Sequence, residues 1–516
     1  MDRRSFIKNT GLAAGAVSFL GTNAHAFPGL LSKASAEAKD RVLVLVYLNG
    51  GNDGLNTFVP IEIYDRLSEF RPDVIVPENQ LLNLSETLAV HPSFEPLQAL
   101  FEAGSLGVVR DVGYPEANLS HFRSREIVHT ASASNEQLDD GWLGRHLTEE
   151  LPEYPIGFPN TTSPDPIILS MSGNLSQISQ GAMGNFNVSA GNPASKNNFD
   201  MDDLSDYEVE NTRFAEELDF LRVSQQQTND FKEVIYNRYQ AGPDLGDTES
   251  SLTKQFKNIV RLIAGGSTTK VYIVQQGGYD THGGQVEAGD TTSGKHSDLL
   301  ADLANSIKVF QEDLTEQDLG DRVVGLTYTE FGRRITQNES LGTDHGHAST
   351  WFVFGEKVNP VIHGKTPTMP EEINNKANLA MQHDFRDVYY NLLVQWLGVP
   401  EAESAGFFGH GSSDITLIEP ESALSTFELG SGMQIGPPFP NPVYEYSKIP
   451  LELQESSQVE LSIYDMNGRQ LRKIPQGQLS AGRHQLHFSR QKEARGRVVY
   501  KVQAGKNLLT GTLDLR

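Results

Sequence analysis

The feature that most constrains the fold is a repeated pattern: an apolar, β-branched run that ends abruptly in a glycine-rich turn or an acid. Residues 41–48 read Arg-Val-Leu-Val-Leu-Val-Tyr-Leu and stop at Asn49-Gly50-Gly51-Asn52-Asp53-Gly54. Residues 270–276 run into Gly277-Gly278-Tyr279-Asp280-Thr281-His282, and residues 322–329 into Glu330-Phe331-Gly332-Arg333. Runs that are apolar at nearly every position suit strands covered on both faces. Between the last two, Leu299, Leu303, Ile307, Phe310 and Leu314 recur three and four residues apart, which predicts a helix from 296 to about 314. Strand, helix, strand is a parallel crossover, so the expected class is α/β, with sites gathered at the carboxyl ends of the strands.

The two ends of the chain obey different rules. Arg3-Arg4, an apolar run over 11–20 and Ala24-His25-Ala26 read as a twin-arginine signal peptide over 1–26, so the mature protein is expected in the periplasm, at the cell surface or outside the cell. No run approaches the roughly 20 apolar residues a membrane span needs, so no stable span is expected. From 437 onward the pattern turns to alternating segments at 459–464, 482–488, 497–502 and 508–513, separated by turns such as Asn467-Gly468 and Ala481-Gly482. This predicts a small all-β sandwich over 437–516, joined by a linker over 421–436 to an α/β domain over 40–420. The acidic stretch 198–222 has no ligand spacing and reads as a solvated cap or insertion.

Composition narrows the chemistry. There is no cysteine, which excludes disulfides, thiolate metal sites and a cysteine nucleophile. The net charge is −25; residues 1–26 carry +2 and residues 436–516 carry +5, leaving −32 between them. So acidic a body is a poor partner for nucleic acid.

Oxygen and nitrogen donors sit where strands should end: Asp53; Asp280 with His282; Glu330; and the loop Asp344-His345-Gly346-His347. Such groups suit divalent metal ions, zinc first, with magnesium, manganese or calcium as further options, and a two-metal hydrolytic centre is geometrically feasible. An Asp in a glycine-rich turn can equally be a turn former. Three donors within 344–347 are harder to explain as packing. Ser120 follows the expected strand at 106–109 and suits the N-cap of a helix running through Ile127; a helix start also favours a nucleophile or a tetrahedral anion. Arg123, Arg125 and Arg333 are available to orient an anionic group.

Two resemblances follow from these motifs. The tail, through Pro440-Asn441-Pro442, Val459-Glu-Leu-Ser-Ile-Tyr-Asp465, Asn467-Gly468-Arg469 and Leu479-Ser-Ala-Gly-Arg-His484, resembles the C-terminal sorting domain of the type IX secretion system of Bacteroidetes-type bacteria. It implies an outer-membrane export address, against the alternative of an adhesion or carbohydrate-binding module. The body, through Leu48-Asn-Gly-Gly-Asn-Asp53-Gly54-Leu-Asn56, Ser120-His121-Phe122, Gly278-Tyr-Asp280-Thr-His282, Thr329-Glu330-Phe331-Gly332-Arg333 and Gly342-Thr-Asp344-His345-Gly346, resembles a twin-arginine-exported family placed in the alkaline phosphatase and sulfatase superfamily.

The second resemblance implies an alkaline-phosphatase-like, mostly parallel sheet flanked by helices, two metals, and a nucleophile that attacks a phosphoryl or sulfuryl centre. By position it makes Asp53 the first metal ligand, Ser120 the nucleophile, and Asp280 with His282 the middle metal pair. Where the superfamily commonly has Asp-His, this chain has Glu330-Phe331. Either Glu330 takes that position with His345 or His347 as the last histidine, or Asp344-His345 is the displaced pair. No Cys or Ser-x-Pro-x-Arg setting surrounds Ser120, which disfavours arylsulfatase chemistry. The resulting expectation is an exported metal-dependent hydrolase of small anionic phosphate esters, less so sulfate esters, handled by the twin-arginine and type IX export machinery. The alternatives are a non-catalytic surface binding protein on the same fold and a metal-stabilised scaffold.

Overall fold

In a computed structural model, residues 40–516 are described apart from 153, 183, 197–212, 410–414, 420–432, 437, 439–440, 442, 444–445, 466–468, 491–495 and 516. The signal peptide, the acidic residues 198–212, most of the linker and the turn at 467–468 lie outside the described residues.

The three runs form the middle of one nine-stranded sheet. Its strands are β1 (Val42–Asn49), β2 (Leu106–Gly113), β3 (Ile168–Ser170), β4 (Asn187–Ser189), β5 (Val271–Gly277), β6 (Val323–Tyr328), β9 (Ser349–Phe354), β10 (Ile362–His363) and β11 (His383–Asp384); a separate hairpin, β7 (Arg333–Gln337) and β8 (Thr343–His345), stands at their carboxyl end. The order is β10-β2-β9-β6-β1-β5-β3-β4, with β11 beside β2. β1 is central and parallel to both neighbours, Leu43 opposite Val271 and Val42 opposite Val323. The helix predicted between β5 and β6 therefore crosses over β1. One strand breaks the parallel rule: β9 runs antiparallel to β6 and β2.

Successive side chains of a strand point to opposite faces, and β1 feeds two cores in this way. Leu43, Leu45 and Tyr47 pack with α1 (His121–Thr130), α2 (Trp142–Glu150), α6 (Phe385–Gln395) and α7 (Glu401–Phe408), around Trp142, Tyr389 and Trp396. Val42, Val44, Val46 and Leu48 pack with α3 (Arg213–Ala241), α4 (Ser251–Ala264) and α5 (Lys295–Glu316), around Phe256, Ile307 and Phe310. Burial of each such side chain stabilises the fold by about 1.5–3 kcal/mol. In α5, Leu303, Ile307, Phe310 and Leu314 are buried as their spacing implies, whereas Leu299 is only partly covered and Leu300 fills the core beside it.

β2 carries a bulge against β9 at Ser349/Trp351, and Asp111 adopts φ 50° in that stretch. Its carboxyl is buried, and burial outweighs the Gln382 hydrogen bond and the Arg110 charge to push its pKa up to about 6. A carboxyl whose folded pKa lies above its unfolded value near 3.8 supports the fold below that value and loses the contribution as pH rises to about 6. Asp111→Asn, which tolerates positive φ, is expected to flatten this decline and raise stability at neutral pH by about 1–3 kcal/mol. Urea unfolding across that pH range would measure it; an unchanged slope would locate the pH dependence elsewhere.

The C-terminal region forms two antiparallel sheets over their own core. Met433–Ile435, Tyr446–Leu453 and Gly482–Ser489 face Ser457–Tyr464, Gln470–Leu479, Gly496–Ala504 and Asn507–Leu515, with Ile449, Leu461, Ile463, Phe488 and Val502 between them. It touches the α/β body through defined polar bonds: Tyr446 Oη donates to Pro360 O at 2.9 Å, and the buried Lys448 Nζ to Gly104 O at 3.2 Å. Among the described residues no helix is long and apolar enough to cross a membrane.

Candidate metal centre

The turns after β1 and β5 come together at the carboxyl edge of the sheet. Gly50, at φ 124°, leaves no room for a side chain: a Cβ would stand 2.4 Å from the Asp280 backbone nitrogen. This contact sets the turn that presents Asp280 and His282. Glu330 arrives two residues after β6, the β7–β8 hairpin brings Asp344 and His345, and the first turn of α1 brings His121.

These six side chains interlock. His121 Nδ1 lies 2.7 Å from Glu330 Oε1, His282 Nδ1 2.9 Å from Asp344 Oδ1, and His345 Nδ1 2.8 Å from the Leu119 carbonyl oxygen. The carbonyl can only accept, and so can an ionised carboxylate, so each Nδ1 carries the proton and donates it, which assigns the tautomer. Each Nε2 then presents a lone pair. His282 Nε2 and His345 Nε2 face each other at 2.8 Å, and Asp280 Oδ1 is 3.2 Å from both and 3.4 Å from His121 Nε2. Donor atoms of His121, Asp280 and His345 all lie within 4.8 Å of one another. Four acceptors converging on one region repel unless a cation sits among them. Three imidazoles whose outer nitrogens are held by a carboxylate or carbonyl form the ordinary surround of a bound metal ion. The donor set fits such an ion.

The charge state agrees for His345 and runs the other way for His121. Burial holds the His345 pKa below the usual imidazole range and so keeps the ring neutral. The Glu330 hydrogen bond, with the carboxylate charges around it, raises that of His121. Burial opposes ionisation of Glu330, but the bond from His121 and those from Gly50 N and Thr329 Oγ1 hold its carboxyl below the usual range. Burial would likewise raise Asp280, yet Arg333 and the histidines bring it down to about 2. Asp280 and His282 are half-exposed while Glu330 is buried, so the centre opens to solvent on one side.

Not every expected residue joins it. Asp53 is wholly buried and engaged elsewhere: Arg71 Nη1 reaches its two oxygens at 3.1 and 2.9 Å, and Gln285 Nε2 donates at 2.6 Å. Burial alone would raise its pKa, but Arg71, His296 and Gln285 together depress it. Arg333 is fully buried as well. It donates to the carbonyls of Gly50, Gly51, Tyr279 and Thr343 and to Asp280 Oδ1, so it positions the loops instead of facing a substrate. Arg123 is turned to Glu126 and to the carbonyls of Ala133, Ser134 and Glu136. His347 is half-buried outside the cluster. Glu330 and Asp344 orient histidines rather than facing the convergence of lone pairs.

Ser120 stands at the N-cap of α1 as expected, but its exposed hydroxyl makes no capping bond. Its neighbours on both sides, Leu119 and His121, touch the centre. His121 as a donor had not been singled out; its position one residue past the N-cap, at the carboxyl edge of the sheet, was the available signal.

A mostly parallel sheet covered on both faces, with imidazoles and carboxylates meeting at the carboxyl ends of its strands, defines an α/β protein with a candidate metal centre. The chain belongs to the family described as Protein of unknown function (DUF1501), whose model matches residues 105–405. Its structure is similar to that of a protein in the alkaline phosphatase superfamily from Vibrio parahaemolyticus, at 10% identity and TM-score 0.34, covering 92% of this chain and 91% of that one. It is also similar to the lipoteichoic acid synthase LtaP from Listeria monocytogenes, at 10% identity and TM-score 0.31 over 80% and 82% of the two chains. A third similar structure is the phosphonate monoester hydrolase SpPMH from Silicibacter pomeroyi, at 10% identity and TM-score 0.31 over 88% and 89%. No curated protein matches the chain.

Proposed function

We propose that this is an exported, metal-dependent hydrolase of phosphate esters, with sulfate esters as a lesser substrate class. The observation that carries the reading is the convergence of His121, His282 and His345 Nε2 on the Asp280 carboxylate, each ring committed through Nδ1 to an acceptor. A divalent cation there, zinc first on so nitrogen-rich a set, would supply Lewis-acid polarisation of an ester oxygen and favour ionisation of a nearby hydroxyl. Asp280, His121 and His345, whose donor atoms lie within 4.8 Å of one another, would hold it, with His282 Nε2 beside Asp280 and His345. Glu330, Asp344 and the Leu119 carbonyl fix the ring orientations, and Arg333 fixes Asp280.

Ser120 is the proposed nucleophile. Its hydroxyl is exposed and unspent at the start of a ten-residue helix, between two residues that touch the centre. The amides of a helix's first turn stabilise an anionic group placed before them. Ser120→Ala is expected to cut turnover of an aryl phosphate by at least about a hundredfold while leaving metal content unchanged. A protein that only binds its ligand would have no turnover to lose and would keep its affinity. Export through the twin-arginine and type IX routes is supported by the Arg3-Arg4 leader and the motifs of the tail. Cell fractionation of an Arg3→Lys, Arg4→Lys variant would test the first step: retention in the cytoplasm is expected, and undiminished export would refute it.

A further inference from the structure

We propose a second cation site, structural in role, between α2 and α7, held by His146, Glu150 and Glu403. His146 and Glu150 are four residues apart on α2 and so share one face of it. Glu403 comes from the first turn of α7, far along the chain. One donor atom from each lies within 4.8 Å of the other two. His146 is 2% exposed, and its Nε2 sits 2.9 Å from Glu150 Oε1 without the alignment of a hydrogen bond. Two donors about 2.0–2.1 Å from a tetrahedral ion stand about 3.3 Å apart, so the 2.9 Å pair would open by roughly 0.4 Å to take an ion between its members. A ring nitrogen aimed at an oxygen but off the hydrogen-bond line is the arrangement expected when both direct lone pairs at a third partner.

The imidazole is held in place for that task. Phe407, one turn beyond Glu403, packs edge-on against the His146 ring at 6.0 Å and 80°, and the Arg145 guanidinium lies over the Phe407 ring at 5.1 Å from its centroid. One nitrogen and two carboxylate oxygens, with room for solvent on the half-exposed Glu403 side, suit zinc or manganese. Such an ion would tie α7 to α2 within the helix layer that packs on β1. Because the three ligands come together only in the folded chain, binding there would be read as folding stability.

Zinc alone is the probe, and the full mature protein is the sample. Elemental analysis after gel filtration and thermal unfolding with and without added zinc would be run on wild type, His146→Gln, Glu403→Gln and His345→Ala. His146→Gln is expected to hold about one equivalent less than wild type, to lose much of the zinc-dependent rise in Tm, and to keep its aryl phosphate turnover. Glu403→Gln, which keeps the size of a partly buried side chain, is expected to weaken zinc binding at this site by roughly tenfold or more. His345→Ala should retain the zinc that the other two variants lose, which separates this site from the proposed catalytic one. Wild-type zinc content and an undiminished rise in Tm in both His146→Gln and Glu403→Gln would overturn the proposal.

Discussion

Replacing Asp280 by alanine is expected to empty the histidine centre of metal and lower aryl phosphate turnover by about a thousandfold, with the fold left standing. Asp280 Oδ1 is the one atom that approaches all three imidazoles, at 3.2 Å from His282 and His345 and 3.4 Å from His121. It is also the anionic member of the set, so its loss removes both a donor and the charge that favours a cation. Charge stabilisation by a bound metal is worth several kcal/mol in a transition state; at 1.36 kcal/mol per tenfold, about 4 kcal/mol is a factor of about a thousand. Stability should fall, because the buried Arg333 loses its carboxylate partner, but by less than for a wholly buried pair, since that carboxylate is 48% exposed and Arg333 keeps four backbone carbonyls. Metal analysis, kcat/KM and thermal unfolding on one preparation decide the matter. Metal retained in the variant would remove Asp280 from the ligand set, and turnover retained without metal would remove the centre from catalysis.

Asp53→Asn should have the opposite signature: about 3–5 kcal/mol of stability lost and metal content unchanged. The Asp53 and Arg71 side chains are both wholly removed from solvent, and their guanidinium–carboxylate contact is 2.9 Å. Deleting the charge of one leaves the other buried without its counter-ion, which costs far more than a surface pair would. Arg71 also donates from Nε to Ile335 O at 3.0 Å and from Nη2 to Arg334 O at 2.5 Å, so its distress would reach the β7–β8 hairpin. Asp53→Asn combined with Arg71→Met should cost less than the sum of the single changes, because neither charge is then stranded. Urea unfolding of the four proteins measures the coupling. A loss below about 1 kcal/mol, or loss of metal in Asp53→Asn, would return Asp53 to the role of ligand.

The contrast between these two aspartates shows what a linear sequence can and cannot disclose. Strand identity was legible because continuous apolar runs at 41–48, 270–276 and 322–329 leave few other structures open to them. The helix at Lys295–Glu316 was legible because its apolar spacing matches one face. Asp53 and Asp280 looked alike, each an acid in a glycine-rich turn after a buried strand. What separates them is a partner: Arg71, eighteen residues onward, on one side, and on the other a histidine of the same turn with two more from distant segments. No local pattern encodes such pairings. Glu330 and Asp344 were competing candidates for one metal position in the sequence; in the folded chain each accepts a hydrogen bond from a different histidine, and neither faces the convergence of lone pairs. The antiparallel insertion of β9 left no trace in periodicity, since a strand buried on both faces reads the same in either direction.

The guanidinium of Arg333 joins the turn after β1, the turn after β5 and the hairpin strand β8 through bonds to Gly50, Gly51, Tyr279, Asp280 and Thr343. Three pieces of backbone riveted to one planar group cannot drift independently, so the segments around the histidine centre are held in register by one side chain. Capture of an ion at the proposed centre would then require little rearrangement of these three segments. A lysine in the same place, with a single ammonium and no fork, could not span that triangle.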